Sequence, residues 1–146
     1  VNGFVMNDSL IKYRRRMGQV KDFKSLFIGD YTPSDIDVCY QLNSHGLIIL
    51  GELKVSGVEV PTGQMIMLRD IVNTYLLAGK RALLFIGEHV THPSQPIDVG
   101  QCNVIEIEYV DPHDYTFKKA KDINKTVIDV MHRYLRACGV DVENNT

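Results

Sequence analysis

Residues 36–42 alternate: Ile36, Val38, Tyr40 and Leu42 stand against Asp37, Cys39 and Gln41. That period of two predicts a strand. Asn43-Ser44-His45-Gly46 is turn chemistry, and residues 47–55 read as the returning strand of a hairpin with a four-residue loop. Pro61-Thr62-Gly63 breaks the pattern, with Thr62 as the expected helix cap. Met65, Leu68, Val72, Tyr75 and Leu76 then recur at helical spacing, as far as Gly79. Residues 82–86 form a short apolar strand, and 89–101 a loop containing Pro and Gly. Residues 103–110 alternate again, with Glu106 and Glu108 between apolar positions. After a turn at 111–114, a last helix is expected over 121–138, with Ile123, Val127, Val130, Met131 and Tyr134 inward and Gly139 as its stop. Near the start, Asn7, Asp8 or Ser9 caps a first helix carrying Leu10, Tyr13 and Met17. Residues 21–29 are either a first strand or an extended lead-in. A hairpin, a crossover helix and further strands predict an α/β domain with a mixed sheet flanked by helices.

The hairpin has a chemical consequence. If Leu42 pairs with Leu47, Asp37 lies opposite Glu52 and Asp35 opposite Lys54. Directly opposed residues share a face, so four charges gather on one side, while Ile49, Gly51 and Leu53 occupy the other. Two facing carboxylates repel unless a proton or a cation lies between them. Their oxygens suit Mg²⁺ or Mn²⁺, which need few protein ligands. Lys54, two residues along, is placed to assist an attacking water or to steady phosphate charge. An E-x-K triplet alone reads more simply as a salt-bridged strand end. Glu88 ends a strand that should neighbour the hairpin; it reads more simply as a solvated terminus than as a further carboxylate reaching the metal. His89 and His92 are three apart, but at a strand exit beside Pro93 they are not expected on a helix and do not read as a metal pair.

The stretches Pro33-Ser34-Asp35-Ile36-Asp37, Gly51-Glu52-Leu53-Lys54 and Pro61-Thr62-Gly63-Gln64 together resemble the PD-(D/E)XK nuclease superfamily, in particular its small phage- and prophage-type members. The similarity covers roughly residues 31–110. It implies a restriction-endonuclease-like core of order α-β-β-β-α-β. It also implies Mg²⁺ (or Mn²⁺) held by Asp37, Glu52 and the carbonyl of Leu53, with Lys54 as the catalytic lysine. Gln64 matches the helix-start glutamine that holds the site or the substrate strand. Asp35 remains an accessory candidate, because a register slip of two residues would promote it over Asp37. Many members add a first-helix Glu; here no Glu precedes Glu52, so either Asp8, Asp22 or Asp30 substitutes or the site lacks that ligand.

Composition adjusts this picture slightly. The 146 residues fit a single domain, with 45% hydrophobic and 23% charged residues and a net charge of −2. The charge is uneven. Residues 1–30 hold six basic and three acidic side chains, and 117–136 hold six and two. Arg14, Arg15, Arg16 and Lys119 are therefore the expected contacts to a DNA backbone. Three cysteines without a C-x-x-C read as small buried thiols in a reducing compartment. No secretory leader or membrane-spanning run is visible. The expectation is a cytoplasmic protein of a bacterial host, acting on DNA, with a homodimer to reach two strands. The alternative is a catalytically silent nuclease-fold module that binds DNA or a protein.

Overall fold

The computed structural model describes residues 22, 24–30 and 34–143. The chain divides into two units, Val1–Ser34 and Asp35–Thr146. In the first, Lys24–Leu26 form a 3-10 turn, and the Lys24 N–H donates to Asp22 Oδ1. The expected first helix, with Arg14, Arg15 and Arg16, lies outside the described residues.

The second unit is an α/β arrangement around one mixed sheet. Its elements are β1 (Val38–Leu42), β2 (Leu47–Val55), α1 (Thr62–Leu77), β3 (Arg81–His89), β4 (Asn103–Val110), β5 (Phe117–Thr126) and α2 (Val127–Ala137). The five strands lie side by side in chain order. Helix α1 carries the chain between the parallel pair β2 and β3; every other pairing is antiparallel. The hairpin register is the expected one, with Leu42 opposite Leu47 and Val38 opposite Gly51.

β2 and β3 are apolar on both faces, as buried parallel strands must be. Leu47, Ile49, Leu83 and Phe85 pack with Val127, Val130, Tyr134 and Leu135 of α2. Ile48, Leu50, Ala82 and Leu84 pack with Leu68 and Val72 of α1. The helices therefore cover opposite faces. Tyr134 ties α2 to the sheet: its hydroxyl lies 2.6 Å from the Val110 carbonyl oxygen and 3.1 Å from that of Ala82. Cys102 and Cys138 are buried free thiols, as expected, whereas Cys39 is exposed on β1.

Three sequence expectations need correction. Residues 117–126 are a fifth strand, and the last helix begins at Val127, not at 121. Thr126 caps it, its Oγ1 accepting from the Asp129 N–H at 3.3 Å. Ile123 still reaches the core beneath α2, but from a bulge rather than a helix. Between the pairs Lys121–Glu106 and Lys125–Val104, β5 has three residues where β4 has one. Asp122 and Asn124 make this bulge at φ 55° and 50°, a region Asp and Asn tolerate better than other side chains. Finally, Thr62 is the first residue of α1 rather than its cap. The first turn closes on the Pro61 carbonyl, which accepts from the N–H groups of Gln64 and Met65.

Beside α1 a buried carboxylate is paired with a half-exposed guanidinium. Glu108, with a side chain only 2% exposed, accepts from Nε and Nη2 of Arg69 at 2.8–3.0 Å. Removing one partner of such a pair strands the other charge. Arg69→Met is expected to lower stability by about 2 kcal/mol, less than for a fully enclosed pair because Lys119 also lies 4.0 Å from Glu108. Urea unfolding checks this; an unchanged midpoint contradicts it.

Candidate functional site

The site forms where β2 leaves the core and α1 begins. Along β2, Ile48 and Leu50 point into the α1-side core. Alternation then puts Glu52 and Lys54 on that same face as the apolar cover runs out. Glu52 is still buried, at 7% exposure.

Strand β1 starts at Val38, and the chain bends at Asp37. The backbone ladder therefore stops one residue short of Glu52. The Asp37 side chain continues it: Oδ2 accepts from the Leu53 N–H at 2.7 Å. This fixes the Asp37 carboxyl beside that of Glu52, within hydrogen-bonding reach. The expected Asp35–Lys54 pairing is not formed, because β1 does not extend that far. Instead the Asp35 carbonyl accepts from Gln64 Nε2 at 2.9 Å, and the same Nε2 donates to Glu52 Oε2 at 2.9 Å. Gln64, in the first turn of α1, thus clasps the chain before β1 to the buried carboxyl of β2.

Burial, the negative charge of Asp37, a hydrogen bond with it and the charge of Asp35 together push the Glu52 carboxyl up from its ordinary range to about 7. Below about pH 7 Glu52 therefore holds a proton that a divalent cation can replace. The donors are hard oxygens of the kind Mg²⁺ and Mn²⁺ prefer. Among the described residues no cluster of three or more His, Cys, Asp or Glu side chains is assembled for a metal. Two carboxylates suffice for Mg²⁺, which keeps most of its waters. The residues present fit such an ion.

Lys54 is 15% exposed, and its Nζ lies 3.7 Å from Glu88 Oε2. The parallel register sets Lys54 directly opposite Glu88. Glu88 is therefore no bare strand terminus, as the sequence suggested, but the partner of the candidate lysine. A sequence signal existed: an apolar run followed by Gly-Glu occurs twice, at Gly51-Glu52 and Gly87-Glu88. Glu88 also lines a cavity of about 390 Å³ with Ser56, His89, Thr91, Asp98 and Asn103. His89 and His92 each use Nδ1 to accept a local backbone N–H, from Thr91 and Ser94 respectively.

The structure thus brings together Asp37, Glu52, Gln64 and the Asp35 backbone, with Lys54 following on β2. Lys119 lies on β5, across the sheet from them. No family model, no curated protein and no solved structure matches the chain.

Proposed function

We propose that this chain is a divalent-metal-dependent nuclease that hydrolyses DNA phosphodiester bonds. The observation that carries the reading is the Asp37–Glu52 pair. One carboxyl is aimed by the Leu53 N–H; the other is buried, clasped by Gln64 and raised to about 7. Asp37, Glu52 and the carbonyl of Leu53 would hold Mg²⁺ or Mn²⁺, which supplies Lewis-acid polarisation of the scissile phosphate. Gln64 keeps the Glu52 carboxyl from turning away. Lys54 presents a positive charge on the same face, where it offsets the charge that builds on the phosphate as water attacks. Glu88 holds that ammonium in place until substrate arrives.

The chain order supports a restriction-endonuclease-like core. β1, β2, α1 and β3 follow the last two strands, helix and final strand of the α-β-β-β-α-β pattern that the Asp37, Glu52-Leu53-Lys54 and Gln64 motifs suggest. The same resemblance favours phage or prophage DNA metabolism in a bacterial cytoplasm, with a homodimer cutting the two strands. A second reading, a catalytically silent DNA- or protein-binding module, is favoured by one contact: the Lys54–Glu88 pair, which occupies the lysine.

Cleavage of supercoiled, linear and branched DNA with Mg²⁺ or Mn²⁺ separates the two. The nuclease reading expects metal-dependent cutting that Glu52→Ala and Lys54→Ala each abolish. DNA binding without cutting on any of these substrates would establish the silent module. Cutting that survives both substitutions would remove the site from consideration.

A further inference from the structure

We infer that β5 is a track for a single-stranded segment of DNA, with Phe117 stacking on a base and Lys119 and Lys121 contacting phosphates. The inference takes the DNA-cleaving reading of the Asp37–Glu52 pair as its premise and adds the form of the substrate.

The sheet register puts the track and the pair on one face. Glu52 lies opposite Ile86, Ile86 opposite Glu106, and Glu106 opposite Lys121. Opposed residues point to the same side, so Glu52 and Lys121 end a single row across four strands. At about 4.8 Å per strand, that row spans about 14 Å. Lys119 and Phe117 continue along β5 at every second residue, still on this face and about 7 Å apart.

Along β5 itself, what solvent meets on this face is positive and aromatic, with the half-buried Glu106 on β4 beside it. Glu108 lies beneath Arg69 and Lys119, whose side chains are 46% and 56% exposed against its 2%. Lys119 Nζ stands 5.7 Å from the centre of the Phe117 ring, which is itself 40% exposed. Among the described residues Lys121 has no ion-pair partner. On the opposite face, Lys118 is neutralised by Asp111 at 2.7 Å and Asp114 at 3.1 Å. The bulge at Asp122–Asn124 then turns the chain inward and ends the track.

Lysines on an edge strand also discourage edge-to-edge pairing of sheets. That role does not account for Phe117, since an exposed aromatic works against it. A ring flanked by cations at alternate positions is how single-stranded nucleic acid is gripped, with base faces on the ring and phosphates on the lysines. A duplex keeps its base faces stacked and would leave Phe117 unused.

Fluorescence anisotropy with a labelled oligothymidylate and a blunt duplex of equal length, without divalent ions, tests this. The wild type is expected to prefer the single strand. Phe117→Leu, which keeps an apolar side chain but removes the ring, should weaken single-strand binding about fivefold or more and leave duplex binding unchanged. Lys119→Gln/Lys121→Gln should reduce the slope of log affinity against log salt by about 1.4 for the single strand. Thermal melts confirm that each variant is folded, and Lys121→Gln alone serves where the double variant is not. A duplex preference, or single-strand binding indifferent to both Phe117 and Lys121, overturns the inference. The cleavage assay is read separately. Binding through β5 without cutting keeps the track and sinks the nuclease; cutting with binding independent of β5 does the reverse. A wild type that binds no DNA overturns the track.

Discussion

Gly51→Val is expected to cost at least about 3 kcal/mol of stability, a large share of the roughly 5–15 kcal/mol that holds a domain folded. Gly51 lies opposite Phe85 in the β2–β3 pair. A Cβ built at position 51 overlaps the tip of the Phe85 ring, at Cζ, Cε1 and Cε2. That ring is fully buried in the α2-side core, among Leu47, Ile49, Val104 and Val127. It has nowhere to go without unpacking its neighbours, and interiors at crystal density yield little. The missing side chain is also what lets β2 deliver Glu52 one residue later. Urea unfolding should show the loss directly. Phe85→Ala in the same chain should recover part of it, because the ring is the obstacle. Two destabilisations that simply add would contradict this account, since contacting residues couple.

Glu52→Gln is expected to weaken divalent-ion binding at least about a hundredfold, because it removes a ligand outright rather than a supporting contact. It should also change stability in the opposite sense from most substitutions at buried sites. The folded-state pKa of Glu52 is raised to about 7 from an ordinary value near 4.5. A group raised in this way stabilises the folded protein most below the unfolded pKa, where it is protonated in both states. That contribution is lost as pH rises from about 4.5 through 7. The metal-free wild type should therefore lose about 3 kcal/mol across this window from Glu52 alone. Glu52→Gln cannot ionise and should keep its stability there. Denaturation at pH 5 and pH 8 separates the two: the variant gains on the wild type at the higher pH. Parallel pH profiles would mean that the carboxyl is not held where burial and Asp37 place it.

The hairpin was legible because two local signals agree. Alternation from Val38 to Leu42 sets the faces, with Ile36 crossing to the α1-side core before the bend at Asp37, and the four-residue turn sets the register, which the pairs Leu42–Leu47 and Val38–Gly51 follow. Gln64 was legible because Pro61 fixes where α1 begins. The other parts depend on contacts between distant segments. Strand β5 carries Lys118, Lys119, Lys121, Asp122, Asn124 and Lys125, and only Ala120, Ile123 and Thr126 are even partly buried. It has no apolar alternation to read. Its pairing with β4 makes it a strand, and the Thr126-x-x-Asp129 cap was the one sequence sign that the helix starts later. The Lys54–Glu88 contact depends on the parallel register of β2 and β3, which the length of the α1 crossover sets. Asp35 was placed opposite Lys54 by extending a ladder that in fact ends at Val38. At that end a side chain, Asp37, replaces the backbone as the acceptor for Leu53.

The central claim is that Asp37 and Glu52 form a divalent-ion site. Calorimetric titration of Mn²⁺ into the wild type, Glu52→Gln and Asp37→Asn at pH 8 addresses it most directly. The account predicts saturable uptake by the wild type, weakened at least about a hundredfold by Glu52→Gln and at least about tenfold by Asp37→Asn. Uptake of equal strength in all three proteins, or none in the wild type, would contradict it.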